Sequence, residues 1–427
     1  MTRIILIITA SLFLAANNLL AQQHQYAHNV IDTLTSESYQ GRGFVNGGAD
    51  KASHFIANEF AKLKLQNLTP DYTQPFTVSG NTLPGELSLK LNKQLLKPGL
   101  DYLVSASSPS IKGKFKVIML DSVVLNNVKA ISDLRKKTLK RVFIFYDRKG
   151  VNSKEGVALL DSLRRFNALG AAGYGTVVEK LTWGAGLSTR YATIPTLSVL
   201  KTSLKSPIKN LTIEINAQVN TDIPARNVIG FVPGRERPDS FLVVTAHYDH
   251  LGLMGKGTYF PGANDNASGI ASLLDLASWY GKPENKPRYS MVFIAFTGEE
   301  AGLLGSSYYV AHPLFPLKKI KFLINLDMMG TGSDGLSVVN GTVFKKEAAV
   351  LTAINDQKKY LKQIFHGGPG CASDHCPFYE KDVPCFFFFT RGEEYGGYHS
   401  VNDRADKLAF TYWDNVTRTV KDFLDSF

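Results

Sequence analysis

Four apolar segments of strand length in the second half of the chain constrain its fold more than any other feature. They cover residues 241–246, 291–296, 321–326 and 384–389. Strands that are apolar on both faces and alternate with helices favour a mostly parallel sheet covered by helices on both sides. The segments with a helix-like pattern are residues 267–280, 301–311, 346–364 and 411–427. The sequence therefore predicts an α/β fold with a mostly parallel, mixed sheet.

Each of these segments leads into residues that are common metal ligands. His247 follows the first segment, Glu299 and Glu300 follow the second, Asp327 follows the third, and His399 comes shortly after the fourth. Ligands of open α/β sheets bind outside the carboxyl ends of the strands, so we expect these side chains to meet in one crevice. A single His or Asp at a strand end is more often structural. The combination of imidazole and carboxylate groups, which zinc prefers, predicts a metal site.

Asp265 adds a further ligand candidate. It lies in the loop 261–269, which leads into the helix-like segment 267–280. In isolation, its carboxylate is equally well explained as a cap of that helix. Together with the other candidates, it could bridge two metal ions.

The ordered series of motifs resembles the zinc-dependent aminopeptidase family. This family includes secreted bacterial leucine aminopeptidases, glutamate carboxypeptidases and glutaminyl cyclases. The resemblance covers about residues 222–427, and residues 34–43 with the helix-like segment 49–65 resemble the N-terminal part of the family. It implies the zinc exopeptidase fold. The motifs that carry it are residues 246–252, 262–269, 296–305, 325–330, 373–375 and 398–400, with Asp403 and Asp406.

The resemblance also implies a ligand set for two zinc ions. His247 and Asp327 would bind one ion, whereas Glu300 and His399 would bind the other. Asp265 would bridge the two ions.

Three further residues receive roles from the same resemblance. Glu299, next to the ligand Glu300, would be the general base that takes a proton from a water activated by zinc. Asp249 would form a hydrogen bond with His247 and so fix its tautomer and orientation. Tyr398 is a candidate donor to the developing oxyanion, and a packing role explains it equally well. The peptide bond between Asp265 and Asn266 is cis in relatives.

Residues 101–220 differ in pattern from the rest of the chain and predict a separate, smaller α/β unit. Strand-like segments at 116–120 and 141–146 precede a helix-like segment and a glycine-rich turn at 170–175. The turn lacks the Lys-Ser/Thr pair of a phosphate-binding loop. This block resembles a protease-associated domain, which relatives carry as an insert. We therefore predict a catalytic domain formed by residues 22–100 and 221–427, with an insert at 101–220.

The first 21 residues predict a signal peptide. Arg3 provides the positive charge, residues 4–14 are apolar, and Ala21 offers a small residue at a plausible cleavage point. An uncleaved anchor is the alternative interpretation. We expect a secreted or periplasmic protein, in which Cys371 and Cys376 could form a disulfide bond.

The charge distribution and the apolar pattern argue against two classes of partner. The net charge is +11, but the Lys and Arg residues are scattered and form no basic helix or arm, so we expect no nucleic acid partner. No segment after the N-terminus approaches the roughly 20 apolar residues of a membrane span, so we expect no stable membrane insertion. Peptide substrates remain the expected partners, and the pattern does not indicate an oligomeric state.

Three alternatives to an aminopeptidase remain open from the sequence. Glutaminyl cyclases keep much of the ligand set with one zinc ion, but they usually carry Trp before the last His, where this chain has Tyr398. A carboxypeptidase or dipeptidase needs a basic cluster for the substrate carboxylate, and Arg391 alone provides little of one. Non-catalytic, receptor-like relatives have lost ligands, and this chain retains all of them.

Overall fold

The computed structural model describes residues 24–205 and 207–427 of the 427-residue chain. The predicted signal peptide at 1–21 lies outside the described residues. The strands are β1 Gln66–Asn67, β2 Thr73–Thr82, β3 Leu87–Leu91, β4 Gln94–Leu96, β5 Tyr102–Val104, β6 Ile111–Leu120, β7 Val142–Asp147, β8 Gly173–Val178, β9 Thr196–Leu200, β10 Asn210–Ile215, β11 Gln218–Val232, β12 Arg237–His247, β13 Gly252–Leu253, β14 Tyr259–Phe260, β15 Tyr289–Phe296, β16 Ile320–Leu326, β17 Gly335–Val339, β18 Ile364–His366 and β19 Cys385–Arg391.

Helices lie on both faces of the larger sheet and on the smaller one. They are α1 24–35, α2 Gly48–Lys62, α3 Ser122–Leu125, α4 Val128–Arg135, α5 Lys154–Phe166, α6 Ser268–Tyr280, α7 Leu304–Ala311, α8 Lys345–Lys358, α9 Cys376–Tyr379 and α10 Trp413–Asp425. Among the described residues, no helix has both the length and the apolar character needed to cross a membrane.

The larger sheet has the order β1-β11-β15-β12-β16-β19-β17-β18, and β2 also pairs with β11. Its four central strands, β15, β12, β16 and β19, are parallel. They contain the four apolar segments. The neighbours β11 and β17 pair with this group in the antiparallel direction. The predicted mostly parallel, mixed sheet is therefore confirmed.

The central strands are apolar on both faces because each face is covered by helices. Leu242 and Val244 of β12 pack into a core that also contains side chains of α6 and α10. Val243, which points to the opposite face, packs with Tyr309 of α7 and Phe378 of α9. Alternate side chains of one strand thus enter two separate cores, which explains the absence of a polar alternation.

The second sheet has the order β4-β3-β10-β6-β7-β8-β9-β5. Helices α3, α4 and α5 cover one of its faces and share a core with β7. β3 and β4 precede residue 101, the predicted start of the insert, yet β3 pairs with β10 of this sheet. The predicted domain limits stay a prediction. The smaller sheet nevertheless begins before residue 101, because β3 pairs with the distant strand β10.

The prediction of a turn at residues 170–175 is wrong for its second half, because Gly173 and Gly175 lie within β8. A Cβ atom at Gly173 would lie 2.4 Å from the ring of Phe143, and one at Gly175 would lie 2.2 Å from the ring of Phe145. These glycines make room for the neighbouring phenylalanines of β7. Their role is close packing within a sheet.

Candidate metal centre

The carboxyl ends of three neighbouring parallel strands bring the predicted ligands together. His247 is the last residue of β12 and is paired with Phe296 at the end of β15. Glu299 and Glu300 follow β15, and Asp327 follows β16 on the other side of β12. The predicted convergence at one edge of the sheet is therefore observed.

His247 lies among three carboxylates. Its Nε2 atom is 3.4 Å from Oδ1 of Asp265, 3.4 Å from Oδ1 of Asp327 and 4.0 Å from Oε2 of Glu299. The potential ligand atoms of His247, Glu299 and Asp327 all lie within 4.8 Å of one another. This group has the residue types and the spacing of a metal site.

His399 faces the other side of the same cluster. Its Nε2 atom is 3.1 Å from Oδ2 of Asp265 and 3.1 Å from Oε2 of Glu300. The two carboxylate oxygens of Asp265 thus face different histidines. This is the arrangement that a carboxylate bridging two metal ions requires. The peptide bond between Asp265 and Asn266 is cis.

The cluster contains more buried carboxyl groups than cationic or imidazole groups. Nearby cationic or imidazole groups are His247, His250, His399 and Arg42. Buried charges are costly unless they are paired, so the excess of carboxylates favours a bound cation. Oδ1 of Asp327 is buried and has no hydrogen-bond partner among the described residues. The buried carboxylates are Asp249, Asp265, Glu299, Glu300, Asp327 and Asp374. With imidazoles beside them, they fit zinc.

The pKa values of the cluster follow from burial and from its close ion pairs. Burial raises the pKa of Glu299 well above its ordinary value. The charge of His247 opposes this increase, whereas the neighbouring Glu300 and Asp327 add to it. Burial lowers the pKa of His399, but hydrogen bonds with Asp265 and Glu300 outweigh it and raise that pKa to about 11. Burial would raise the pKa of Asp265, but its histidine partners hold it well below the ordinary value.

Asp249 contacts the cluster through both its backbone and its side chain. His247 donates its Nδ1 hydrogen to the backbone oxygen of Asp249 at 3.1 Å, whereas the nearest carboxylate oxygen is 3.7 Å away. The carboxylate accepts hydrogen bonds from the backbone N–H groups of Glu299 and Glu300, at 3.2 and 3.4 Å. Asp249 therefore orients the imidazole through its backbone and the glutamate turn through its side chain.

Three other side chains that hold the ligands went unassigned in the sequence. His250 lies 2.7 Å from Oε1 of Glu300 through its Nδ1 atom. The hydroxyl of Ser373 donates to Oδ2 of Asp327 at 2.7 Å. His250 and Ser373 both belong to motifs of the family resemblance, so a role for them was open to prediction.

Arg42 is the third of these side chains and comes from the N-terminal part of the chain. It is fully buried and donates to the backbone oxygens of Tyr248, Pro261 and Gly262 at 2.6–2.7 Å. Burial lowers its pKa to about 10, while nearby carboxylates oppose this shift. Arg42 therefore ties together the two ends of the loop between His247 and Asp265. No local pattern in the sequence indicates this contact.

Asp403 fixes the segment that carries Asp265. Its carboxylate accepts hydrogen bonds from the backbone N–H groups of Asn264 and Asp265 at 2.7 and 3.1 Å. The hydroxyl of Tyr395 donates to the same carboxylate at 2.5 Å. The loop after β19 thus supports the centre with Asp403 as well as His399.

A cavity of about 460 Å³ opens beside Asp265. Met328 and Phe389 provide apolar walls, and Arg391 and Glu393 provide charged groups. Tyr398 is 46% exposed at this cavity, and its ring stacks on His399 with centroids 3.9 Å apart. The site therefore has room for a side chain next to the metal ligands.

The adjacent residues Glu393 and Glu394 differ in environment. Glu394 accepts hydrogen bonds from the backbone N–H groups of Gly332 and Ser333 at 3.0 Å, and from the Ser333 hydroxyl. These contacts hold it in the loop. Glu393 is exposed and lines the cavity.

Comparison with known proteins shows which families the chain is similar to. Residues 227–424 match the family described as peptidase family M28. This segment therefore resembles an M28 peptidase domain. The chain is similar to aminopeptidase YwaD of Bacillus subtilis (strain 168), with 31% identity over 216 residues, which are 47% of this chain and 44% of that protein. It is also similar to a glutamate carboxypeptidase 2 homolog of Caenorhabditis elegans, with 26% identity over 262 residues, which are 50% of this chain and 32% of that protein. The matched stretch spans less than half of each relative.

Solved structures resemble the chain over nearly its whole length. A zinc aminopeptidase from Bacillus subtilis, BSAP, aligns with a TM-score of 0.68 and 24% identity over 93% of this chain and 94% of that one. An aminopeptidase from Aneurinibacillus sp. strain AM-1 aligns with a TM-score of 0.64 and 22% identity over 94% and 92%. At these identities the structures show the fold. Together with the M28 match, they confirm the predicted fold and the predicted resemblance to zinc-dependent peptidases.

Proposed function

We propose that this chain is an aminopeptidase that removes residues from the free N-termini of peptides with the help of two zinc ions. The observation that carries the proposal is the position of Asp265, whose two oxygens face His247 and His399 at 3.4 and 3.1 Å. His247 and Asp327 would hold one ion, and Glu300 and His399 the other. The M28 match and the similarity to aminopeptidase YwaD support the proposed aminopeptidase activity.

Zinc held by these residues would supply a Lewis acid that polarises the substrate carbonyl and lowers the pKa of a bound water. Glu299 would act as the general base and accept the water proton on its side-chain carboxylate. Burial raises the pKa of Glu299, which strengthens its hold on a proton and suits a group that both takes and returns one. Glu299 would then deliver that proton to the leaving amine.

The cavity beside Asp265 would receive the N-terminal residue of the substrate. Its apolar walls at Met328 and Phe389 suit an apolar side chain. The acidic groups around it, including Glu393 at the rim, favour the substrate ammonium. Tyr398 is exposed at the cavity and stacks on His399. Its hydroxyl would donate a hydrogen bond to the carbonyl oxygen of the substrate as negative charge develops there.

We also propose that the protein acts outside the cytoplasm. The residue pattern of the first 21 positions supports export. The disulfide bond between Cys371 and Cys376 is in keeping with an oxidising compartment. Cys385 is a buried free thiol.

The proposal is tested with matched pairs of peptides that carry either a free or an acetylated N-terminus. The purified protein should release N-terminal residues from the free peptides and leave the acetylated ones intact, because acetylation removes the ammonium group. Chromatography of the products measures both. Equal cleavage of the two forms would contradict an aminopeptidase. Cyclisation of N-terminal glutamine without hydrolysis of any substrate would instead indicate a glutaminyl cyclase.

A further inference from the structure

A loop that connects two strands of the second sheet contacts the proposed metal ligand His399 directly. Trp183 lies in the β8–β9 loop, residues 179–195. The Nδ1 atom of His399 lies 2.7 Å from the backbone oxygen of Trp183. The backbone N–H of Trp183 donates in return to the backbone oxygen of His399 at 2.9 Å. The two residues are thus joined by a reciprocal pair of hydrogen bonds between the β8–β9 loop and the loop that follows β19.

This pair determines which nitrogen of His399 is free to bind a metal ion. A carbonyl oxygen can only accept, so Nδ1 of His399 must carry the hydrogen. The lone pair then resides on Nε2 in the neutral ring, and this atom faces Asp265 and Glu300 at 3.1 Å. His399 also adopts a φ of 51°, a left-handed conformation that is unfavourable for a residue with a side chain. The contacts with Trp183 help to hold that conformation.

Trp183 is itself firmly anchored. Its indole N–H donates to the backbone oxygen of Val104 at 2.7 Å, and its ring packs against Phe260 with centroids 4.6 Å apart. The residue is only 2% exposed. Since Val104 belongs to β5 and Phe260 to β14, the carbonyl that faces His399 is held from both the second sheet and the loop before Asp265.

The β8–β9 loop also approaches the metal centre at a second point. A Cβ atom on Gly186 would lie 1.6 Å from the backbone oxygen of Leu251, so only glycine permits this approach. Leu251, Met254 and Phe260, which lie between His247 and Asp265 in the chain, share one hydrophobic core with strands of the second sheet. The second sheet and the ligand-bearing loop are therefore packed as one body.

We infer that the β8–β9 loop is a positioning element of the metal centre, and that the Trp183 carbonyl orients His399 for the zinc ion held with Glu300. The inference rests on the proposed two-zinc site. The loop acts through its fixed contacts with His399 and Leu251. A lid that swings away from the site would have to break them.

Two glycines of the same loop provide a matched experiment on the full-length chain. Gly186→Ala should push the loop away from Leu251, whereas Gly184→Ala has no atom within 4 Å of the new Cβ. Zinc binding to both variants is measured by competition with a chromophoric chelator and should show two binding steps, one for each ion. His399→Ala identifies which step belongs to the ion held by Glu300 and His399. Gly186→Ala should weaken that step by about 10- to 100-fold, as expected for loss of a partner of a metal-binding histidine. The other step and both steps of Gly184→Ala should stay unchanged.

A second variant keeps the inference testable if Gly186→Ala does not fold. Trp183→Phe retains a ring against Phe260 but loses the hydrogen bond to Val104, and it should weaken the same step by a smaller factor. Thermal denaturation is recorded for each variant. Wild-type affinity for both ions in a folded Gly186→Ala or Trp183→Phe variant would overturn the inference, and so would an equal loss at both steps. A wild-type protein that binds only one zinc ion would instead overturn the proposed two-zinc function.

Discussion

At the scale of single residues, the centre is defined by buried carboxylates with different partners. Asp265 faces two histidines, which keep its pKa low, whereas burial raises the pKa of the neighbouring Glu299. Asp374 is also buried, and its pKa is raised to about 7 by burial. Identical chemical groups therefore differ in their readiness to hold a proton, because their hydrogen-bond partners differ.

Replacement of Glu299 should separate catalysis from metal binding. Glu299→Gln removes the proton acceptor but preserves the size of the side chain, so we expect kcat to fall by about 10²- to 10⁴-fold. Zinc content should remain near that of the wild type, because Glu299 is not a ligand in the proposed site. Peptidase assays and metal analysis measure the two effects, with the exposed Glu284→Gln as the control. Loss of zinc, or retention of most activity, would show that the role is misassigned.

At the scale of secondary-structure elements, four parallel strands position the proposed ligands, and α6 packs against the sheet that these strands form. α6 follows the loop of Asp265 and is buried along most of its length. It also buries the carboxyl group of Asp275, one oxygen of which has no hydrogen-bond partner among the described residues. Burial, with a smaller effect of Asp414, raises the pKa of Asp275 to about 7. This side chain costs stability when it is ionised.

Because ionised Asp275 destabilises the fold, its replacement should raise the free energy of unfolding by an amount that depends on pH. Its folded pKa of about 7 exceeds its ordinary value of 3.8, so the folded protein retains a proton that the unfolded chain releases. The free energy of unfolding therefore falls as pH rises from about 4 to about 7. Asp275→Asn should remove this loss and stabilise the protein by up to about 4 kcal/mol at pH 8.

Urea unfolding at two pH values measures this effect. The gain from Asp275→Asn should be larger at pH 8 than at pH 5 by about 2–3 kcal/mol, since the wild-type carboxyl group pays most of its ionisation cost between these two pH values. Asp356→Asn, at an exposed position of α8, serves as the control and should show no such difference. An equal gain at both pH values would mean that the benefit comes from packing.

At the scale of the whole molecule, two sheets meet at the metal centre. The larger sheet supplies the strand ends that carry His247, Glu300 and Asp327. The second sheet packs on the loop before Asp265 and contacts His399 through Trp183. Bound cations would therefore neutralise a charged cluster at the junction of the two units, and their removal should affect the stability of the entire chain.

Removal of zinc should lower stability as well as abolish activity. Each ion bound at a thousandfold excess over its Kd adds about 4 kcal/mol to the free energy of unfolding. Treatment with a chelator should therefore lower the Tm clearly, and zinc should restore it. Metal analysis of the saturated protein should find about two zinc ions per chain. At most one tightly bound ion under saturating zinc, or an unchanged Tm after chelation, would contradict this prediction.

The sequence alone determined the fold class and singled out the residues that meet at the candidate metal centre. Local apolar patterns reveal strands such as β12 and β16, because a strand buried on both faces must be apolar throughout. Parallel strands end at one edge of a sheet, so the order of residues along the chain was enough to assign those that follow the strands, such as His247 and Asp327, to one site.

Only the tertiary structure decided how the centre is supported. The extension of the second sheet to β3, the buried Arg42 and the contact between Trp183 and His399 join residues that lie far apart in the chain. Such contacts depend on how separate elements pack, and they leave no periodic signal in the local sequence. The backbone oxygen of Trp183 is the clearest example, because every residue has a carbonyl group and only the fold determines which one faces a metal ligand.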